Sequence, residues 1–203
     1  PYGIGLDLGE DGFTWVFDVS DYAPILKGEK RLSAGNWQEL LDLKFLFFEG
    51  TPPRDIVDIQ NVYPGGGYNY TSSGLINGNL SEKSFDLPSE TEMAKLKIRT
   101  TGHGFGGTLN CAEFCPRNNN IFVNGTLTFI QELWRNTCGI NPLYPQGGTW
   151  IYDRANWCPG AEVTTDEYEL APFLVAGQPL TLQYQFQDGY IWNGGGSVPY
   201  YQI

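Results

Sequence analysis

Apolar and polar residues alternate along four segments of the chain, and this period of two predicts β-strands. The clearest segment is "PLTLQYQFQ", residues 179–187, in which leucine and aromatic residues alternate with threonine and glutamine. The same alternation occurs in residues 94–101, 41–48 and 12–22. A strand that is apolar on one face only is typical of antiparallel sheets, because one face packs on the core while the other meets water.

A turn signal supports this interpretation. The Asn124-Gly125 pair in "FVNGTL" predicts a tight hairpin, because the type I′ turn needs a positive φ at both of its central residues. The chain also contains 26 glycines, and aromatic residues make up 15% of it, which fits many turns between aromatic-rich strands. We predict an all-β fold, an antiparallel jelly-roll sandwich.

Two stretches rich in proline and glycine, residues 50–54 and 63–70, indicate a domain boundary. We predict that residues 1–55 are the closing strands of a first jelly roll and that residues 56–203 form a second, nearly complete one. The chain starts with "PYGIGLDLG", without a methionine, so we expect a fragment of a longer protein.

The charge balance narrows the possible partners. There are 23 acidic and 12 basic residues, which give a formal net charge of −11. This balance disfavours nucleic acids and anionic membranes, since both attract basic surfaces. The sequence also lacks an apolar run of about 18 residues, the length that spans a membrane. We expect a monomer that needs no cofactor.

The four cysteines, at positions 111, 115, 138 and 158, are compatible with two disulfides or with one structural zinc site. Zinc sites usually use two closely spaced pairs, whereas only Cys111 and Cys115 are closely spaced here, so disulfides are favoured. Disulfides in turn favour an exported protein that is secreted, periplasmic or attached to the cell surface.

Glu113 lies midway between Cys111 and Cys115 in "NCAEFC". Residues four apart in an extended strand are about 13 Å from one another, whereas a disulfide tolerates a Cα separation of about 7 Å at most. A bond between these two cysteines would therefore force a sharp turn and fix the direction of the Glu113 carboxylate. The alternative is a solvent-exposed acid on a closed turn.

Two further segments contain residues that suit a binding site. In "DRANWCPG", Arg154 offers a planar cation for carboxylates or polar oxygens, and Trp157 offers a flat face for a sugar ring. The alternative is a structural Asp153–Arg154 pair beside a core tryptophan. His103, the only histidine, lies among glycines in "TTGHGFGG", where a turn residue is the simpler interpretation.

With "TTGHG", "CAEFC" and "DRANWCPG" in this order, the chain resembles the peptide:N-glycosidase F family of secreted bacterial amidases, which remove N-linked glycans from glycoproteins. The resemblance extends upstream through residues 1–28 and "EGTPPR". It implies two eight-stranded jelly rolls with an active site in the cleft between them. It also implies an N-linked glycan or glycopeptide as substrate, and the disulfides Cys111–Cys115 and Cys138–Cys158.

The resemblance further implies roles for six residues. Glu113 corresponds to an active-site glutamate that assists catalysis and contacts the glycan. The residues expected to line the substrate site are Arg154, Trp157, Trp37, Phe114 and His103, and among them Phe114 replaces a tryptophan of the family.

Two departures from the family pattern bear on activity. The principal catalytic aspartate belongs to a part of the first domain that precedes Pro1, and Gly35 stands where the family has a second glutamate. We therefore expect the fragment alone to be inactive, and a glycan-binding protein without turnover is the main alternative. Paired jelly rolls also resemble copper monooxygenases, but one histidine and one methionine cannot supply two copper sites.

Overall fold

The structure is a computed structural model, described for residues 8–33, 41–105, 112–143, 145–187 and 189–203. The chain divides into two compact units. One contains Thr14–Gln60, and the other contains Asn61–Ile203 together with the N-terminal stretch that ends at Phe13. A boundary at residue 55 remains a prediction.

The second unit contains the strands, which are short and connected mainly by irregular segments. One α-helix, α1, covers Ser73–Asn79. The strands are β1 (Gly67–Asn69), β2 (Lys83–Phe85), β3 (Lys95–Ile98), β4 (Thr101–His103), β5 (Arg117–Val123), β6 (Thr126–Leu133), β7 (Asp166–Glu169), β8 (Leu180–Gln185) and β9 (Tyr200–Gln202). Short 3-10 helices cover Ser20–Leu26, Cys138–Ile140 and Ala171–Phe173.

Three sheets arise from these strands, and every pairing in them is antiparallel. The largest has the order β2-β8-β5-β6, a second has the order β1-β9-β4, and β3 pairs with β7. The pairings of β2 with β8 and of β1 and β4 with β9 join distant parts of the chain and so close long loops, whereas β5 and β6 are consecutive. This arrangement confirms the predicted all-β, antiparallel class.

The alternating pattern identifies the core correctly in the second unit. Along β8, Leu180, Leu182 and Tyr184 are at most 5% exposed, and Phe186 just beyond it is buried as well. In the predicted strand at residues 94–101, the apolar residues are buried while the lysines between them are exposed. These two strands form because their apolar faces pack on one common core.

The predicted hairpin is confirmed. Asn124 and Gly125 have φ values of 49° and 73°, and they join β5 directly to β6. The Asn124 side chain also donates a hydrogen bond to the Phe173 carbonyl oxygen at 2.9 Å and accepts one from the Thr181 N–H at 3.1 Å. The turn is therefore fixed by its backbone chemistry and by contacts with distant segments.

Helix α1 was not predicted. Its first turn is capped by Ser72, whose hydroxyl oxygen accepts a hydrogen bond from the Leu75 N–H at 3.2 Å. Ile76 is fully buried and anchors the helix on the core. The serine cap was visible in the sequence, but a helix of seven residues is too short to produce a clear period of 3.6.

The strands predicted within residues 12–22 and 41–48 are wrong. The described part of Thr14–Gln60 contains no strand, and the 3-10 helix Ser20–Leu26 occupies the end of the first segment. Residues of the supposed inner faces are exposed, with Phe47 at 91% and Leu41 at 57%. Alternation creates an apolar face, but a strand also needs a neighbouring strand for its backbone hydrogen bonds.

The hairpin can be tested by alanine substitution. At Gly125 and at Gly74 no atom lies within 4 Å of the position that a Cβ would take, so alanine causes no clash at either site. We expect Gly125→Ala to lower the free energy of unfolding by about 1 kcal/mol, because alanine is strained at a positive φ. Gly74→Ala, in α1, is the matched control and should raise it by up to about 1 kcal/mol through helix propensity. Chemical denaturation measures both. Equal effects of the two substitutions would contradict the assigned turn.

Candidate functional site

The short strand β4 organises the site through its backbone. The N–H groups of Ala112 and Glu113 both donate to the Gly104 carbonyl oxygen, at 3.2 and 3.0 Å. Two residues further on, Cys115 is disulfide-bonded, whereas its predicted partner Cys111 lies outside the described residues. The turn that carries Glu113 is therefore attached to the end of β4.

The segment that carries Arg154 and Trp157 is attached to the same strand. The Gly102 N–H donates to the Ala155 carbonyl oxygen at 3.1 Å, and the Ala155 N–H donates to the Glu113 carbonyl oxygen at 2.8 Å. A Cβ at Gly102 would overlap the Ala112 carbonyl oxygen and lie 2.7 Å from the Ala155 Cβ. Only glycine allows both segments to approach β4 this closely.

A disulfide fixes the far end of this segment. Cys138 and Cys158 are bonded, with a Cα separation of 5.0 Å, and both are fully buried. The bond closes a loop across a sequence separation of 20, which contributes about 3 kcal/mol in the chain-entropy account. These two cysteines therefore bind each other and not zinc, directly beside Trp157.

An ion pair joins the two attached segments. Arg154 Nη1 lies 3.0 Å from Glu113 Oε1, and the side chains are 2% and 14% exposed. Arg154 also donates from Nε to the Tyr152 carbonyl oxygen at 3.1 Å and from Nη2 to the Thr149 carbonyl oxygen. The arginine thus has partners on all three of its nitrogens, as a buried cation requires.

Burial also changes the chemistry of the acid. It raises the pKa of Glu113 above its ordinary value, and the neighbouring Arg154 cation opposes this rise without cancelling it. A carboxyl group with a raised pKa exchanges its proton more readily near neutral pH than an exposed one does. Glu113 therefore has the environment of a general acid or base.

Aromatic rings flank the cation. The guanidinium carbon of Arg154 lies 4.7 Å from the ring centre of Trp157 and 5.1 Å from that of Phe114. Trp157 is oriented by its own ring N–H, which donates to the Gly102 carbonyl oxygen at 2.8 Å. The two rings thus flank the cation that holds the Glu113 carboxylate.

His103, in β4, extends this cluster. Its ring centre lies 5.1 Å from that of Trp157 and 5.1 Å from that of Tyr200, and its Nε2 is 2.7 Å from the Thr101 hydroxyl oxygen. Burial lowers the pKa of His103 to about 4, with a smaller contribution from Arg154. The ring is therefore neutral near pH 7 and stacks as an aromatic group.

The structure brings five of the residues that sequence analysis selected into one cluster, namely Glu113, Phe114, Arg154, Trp157 and His103. Trp37 and Gly35 lie outside the described residues. Arg154 pairs with Glu113 and not with Asp153, and His103 lies in a strand and not in a turn.

Sequence analysis missed two parts of the cluster, Gly102 and Tyr200. Gly102 is one of 26 glycines, and nothing local distinguishes it from the others. Tyr200 reaches His103 only through the pairing of β9 with β4, which connects distant parts of the chain.

Within the described residues there is no group of three or more histidine, cysteine or acidic side chains that could hold a metal ion. The same residues include no helix with the length and apolar character needed to cross a membrane.

The environment of His103 can be measured directly, because it is the only histidine in the sequence. We expect its imidazole resonances to titrate with a pKa of about 4, since burial disfavours the charged form. Because the folded-state value lies below the ordinary value of about 6.5, the unfolded chain binds the proton first. His103 should therefore lower stability as the pH falls from about 6.5 to about 4. A midpoint near 6.5 in the folded protein would contradict the burial.

Comparison with known proteins identifies the family of the chain. The profile of the family described as "Peptide-N-glycosidase F, C terminal" matches residues 73–195. A protein from Elizabethkingia miricola named "Peptide-N(4)-(N-acetyl-beta-D-glucosaminyl)asparagine amidase F" is 29% identical over 215 aligned positions. The alignment covers 97% of this chain and 58% of that protein, so the chain spans little more than half of the relative's length.

Solved structures give the same result. "Recombinant peptide: N-glycanase F (PNGase F)" is 27% identical with a TM-score of 0.55, and the match covers 68% of this chain and 49% of the solved one. The structure of PNGase F, described as a glycosylasparaginase from Flavobacterium meningosepticum, has the same values. Because the family profile covers more than half of the 203 residues, the chain belongs to the family described as peptide-N-glycosidase F, C terminal.

Proposed function

We propose that the protein carrying this chain is an amidase that hydrolyses the bond between an N-linked glycan and asparagine. Membership of the family supports the reaction class, and the name of the Elizabethkingia relative supports the substrate. The observation that carries the proposal is the buried Glu113–Arg154 pair among aromatic rings. The activity of the whole protein is part of the proposal, because the chain spans 58% of that relative.

The reaction requires that water attack the side-chain carbonyl carbon of the glycosylated asparagine. The carbon–nitrogen bond then breaks, the glycosylamine leaves with a proton, and the asparagine becomes aspartate. We assign to Glu113 an assisting role in which it binds the substrate and exchanges a proton with it. Its raised pKa fits this role, and the Arg154 cation limits the rise and fixes the position of the carboxylate.

The aromatic residues have the properties of a sugar-binding surface. Trp157, Phe114 and His103 present flat rings, and C–H groups of a sugar ring pack well on such faces. We assign these three residues, with Arg154, to contacts with the glycan. The proposed partner is a glycoprotein or glycopeptide.

We further propose that the protein is exported to the periplasm, the cell surface or the medium. The Cys138–Cys158 bond supports this location, because structural disulfides persist in oxidising compartments.

A glycan-binding protein without turnover is the second candidate. It is favoured by the ion pair itself, because one oxygen of the Glu113 carboxylate is already bonded to Arg154 and both side chains are buried, as in a purely structural pair. Both candidates use the same surface, and only a reaction distinguishes them.

The assay incubates the protein that carries this chain with a defined N-glycopeptide and follows the peptide by mass spectrometry. Release of the glycan with conversion of asparagine to aspartate supports the amidase, whereas binding without conversion supports the second candidate.

Substitution of the acid provides the sharper test. We expect Glu113→Gln to lower kcat about 100-fold, because the amide keeps the shape of the side chain but cannot exchange the proton. Glu132→Gln is the matched control, since Glu132 is an exposed acid on β6, and its activity should equal that of the wild type. Steady-state kinetics on the glycopeptide measures both variants. Wild-type turnover in the Glu113 variant would contradict the assigned role.

A further inference from the structure

A row of side chains crosses the three-stranded sheet and leads into the candidate site. Asn69 on β1 lies directly opposite Tyr200 on β9, and Tyr200 lies directly opposite His103 on β4. Directly opposed residues of neighbouring strands share one face of a sheet. Asn69, Tyr200 and His103 are therefore consecutive positions of one row.

The row continues beyond the edge of the sheet. The Tyr200 ring stacks on His103 with an angle of 20° between the planes and 5.1 Å between the ring centres. His103 contacts Trp157 at the same distance, and Trp157 lies under the Arg154 guanidinium that holds Glu113. An unbroken series of contacts thus joins the sheet face to the ion pair.

Among the described residues, the sheet face around Tyr200 presents exposed neutral side chains. Tyr200 is 38% exposed, and the amide side chains of Asn69 and Gln202 are exposed beside it. Gly67 is the diagonal neighbour, and a Cβ there would lie 3.5 and 3.9 Å from carbons of the Tyr200 ring. A side chain at position 67 would therefore be in van der Waals contact with the Tyr200 ring and cover part of it, whereas glycine leaves that part of the ring accessible.

This surface lies outside the segment that defines the family. The profile ends at residue 195 and begins at residue 73, so it contains neither β9 nor β1. The sheet nevertheless places Tyr200 and Asn69 in line with residues inside the matched segment, such as His103 and Trp157. Strands β1 and β9 therefore extend the candidate site.

We propose that Tyr200 and Asn69 form a sugar-binding subsite that continues the Glu113–Arg154 site along the sheet. An exposed aromatic ring bordered by amide groups suits a neutral sugar, whose C–H face packs on the ring and whose hydroxyls bond to amides. A peptide that binds by strand addition needs a free strand edge, whereas this surface is the face of a sheet. The proposal rests on the proposed function, since it assigns the subsite to a more distant sugar of the same glycan.

The first test measures binding without chemistry. The probe is a free neutral oligosaccharide released from an N-glycoprotein, titrated into the protein that carries this chain, with the His103 imidazole resonances as the reporter. We expect Tyr200→Ala to weaken binding about tenfold, which is the effect of losing one buried aromatic contact. Tyr200→Phe, which keeps the ring, should bind like the wild type, and Asn69→Ala should bind a few-fold more weakly.

Matched controls come from exposed strand residues elsewhere in the unit. Leu127→Ala on β6 and Asn118→Ala on β5 remove exposed side chains of similar character and should leave the dissociation constant unchanged. If Tyr200→Ala does not fold, Asn69→Ala and a Tyr200→Leu variant, which keeps apolar bulk without a ring, still test the subsite.

Kinetics on the glycopeptide separates this proposal from the proposed function. The subsite predicts that Tyr200→Ala raises KM about tenfold with kcat unchanged, because the contact is the same in the ground state and the transition state. The wild type could bind the sugar through Tyr200 and yet show no turnover of the glycopeptide. That result would contradict the amidase proposal and support the subsite. An unchanged dissociation constant in Tyr200→Ala would overturn the subsite, as would absence of binding by the wild type. Tyr200-dependent binding of the unglycosylated peptide, without binding of the free sugar, would also overturn it.

Discussion

The buried ion pair between Glu113 and Arg154 is the interaction on which the rest of the site depends. The two residues are 41 positions apart in sequence, and their side chains meet at 3.0 Å with the arginine almost completely removed from water. A buried charge without a partner is strongly unfavourable, so each residue requires the other to remain in place. The pair therefore fixes the distance between the two segments that carry the candidate chemistry.

Strand β4 provides the frame for that pair. Both segments approach this strand at close range, because Gly102 lacks the Cβ that would overlap the Ala112 carbonyl oxygen and crowd the Ala155 Cβ. The same strand carries His103, and its pairing with β9 brings Tyr200 to the cluster. The three residues of β4 thus hold the acid, the cation and the rings close together. The cluster is compact for this reason, although its members are far apart in the sequence.

Sequence patterns predicted the parts of the structure that depend on local chemistry. The Asn124-Gly125 turn follows from the φ values that its two residues tolerate, and β8 follows from the alternation between Leu180 and Phe186. Parts that depend on distant partners could not be predicted in this way. Residues 41–48 alternate as well as β8 does but form no strand, because backbone pairing depends on neighbours that the pattern does not specify. Likewise, the clusters around Glu113 and Arg154 were each identified, but their ion pair was not, since it depends on how both segments attach to β4.

A double-mutant cycle on the ion pair tests the central claim most directly. The free energy of unfolding is measured by chemical denaturation for the wild type, Glu113→Gln, Arg154→Met and the double variant. Either single change leaves a buried group without its partner, whereas the double change removes both charges, so we expect a coupling energy of about 1–3 kcal/mol. Effects that add to within about 0.5 kcal/mol would mean that the two side chains do not interact, and the site described here would not exist.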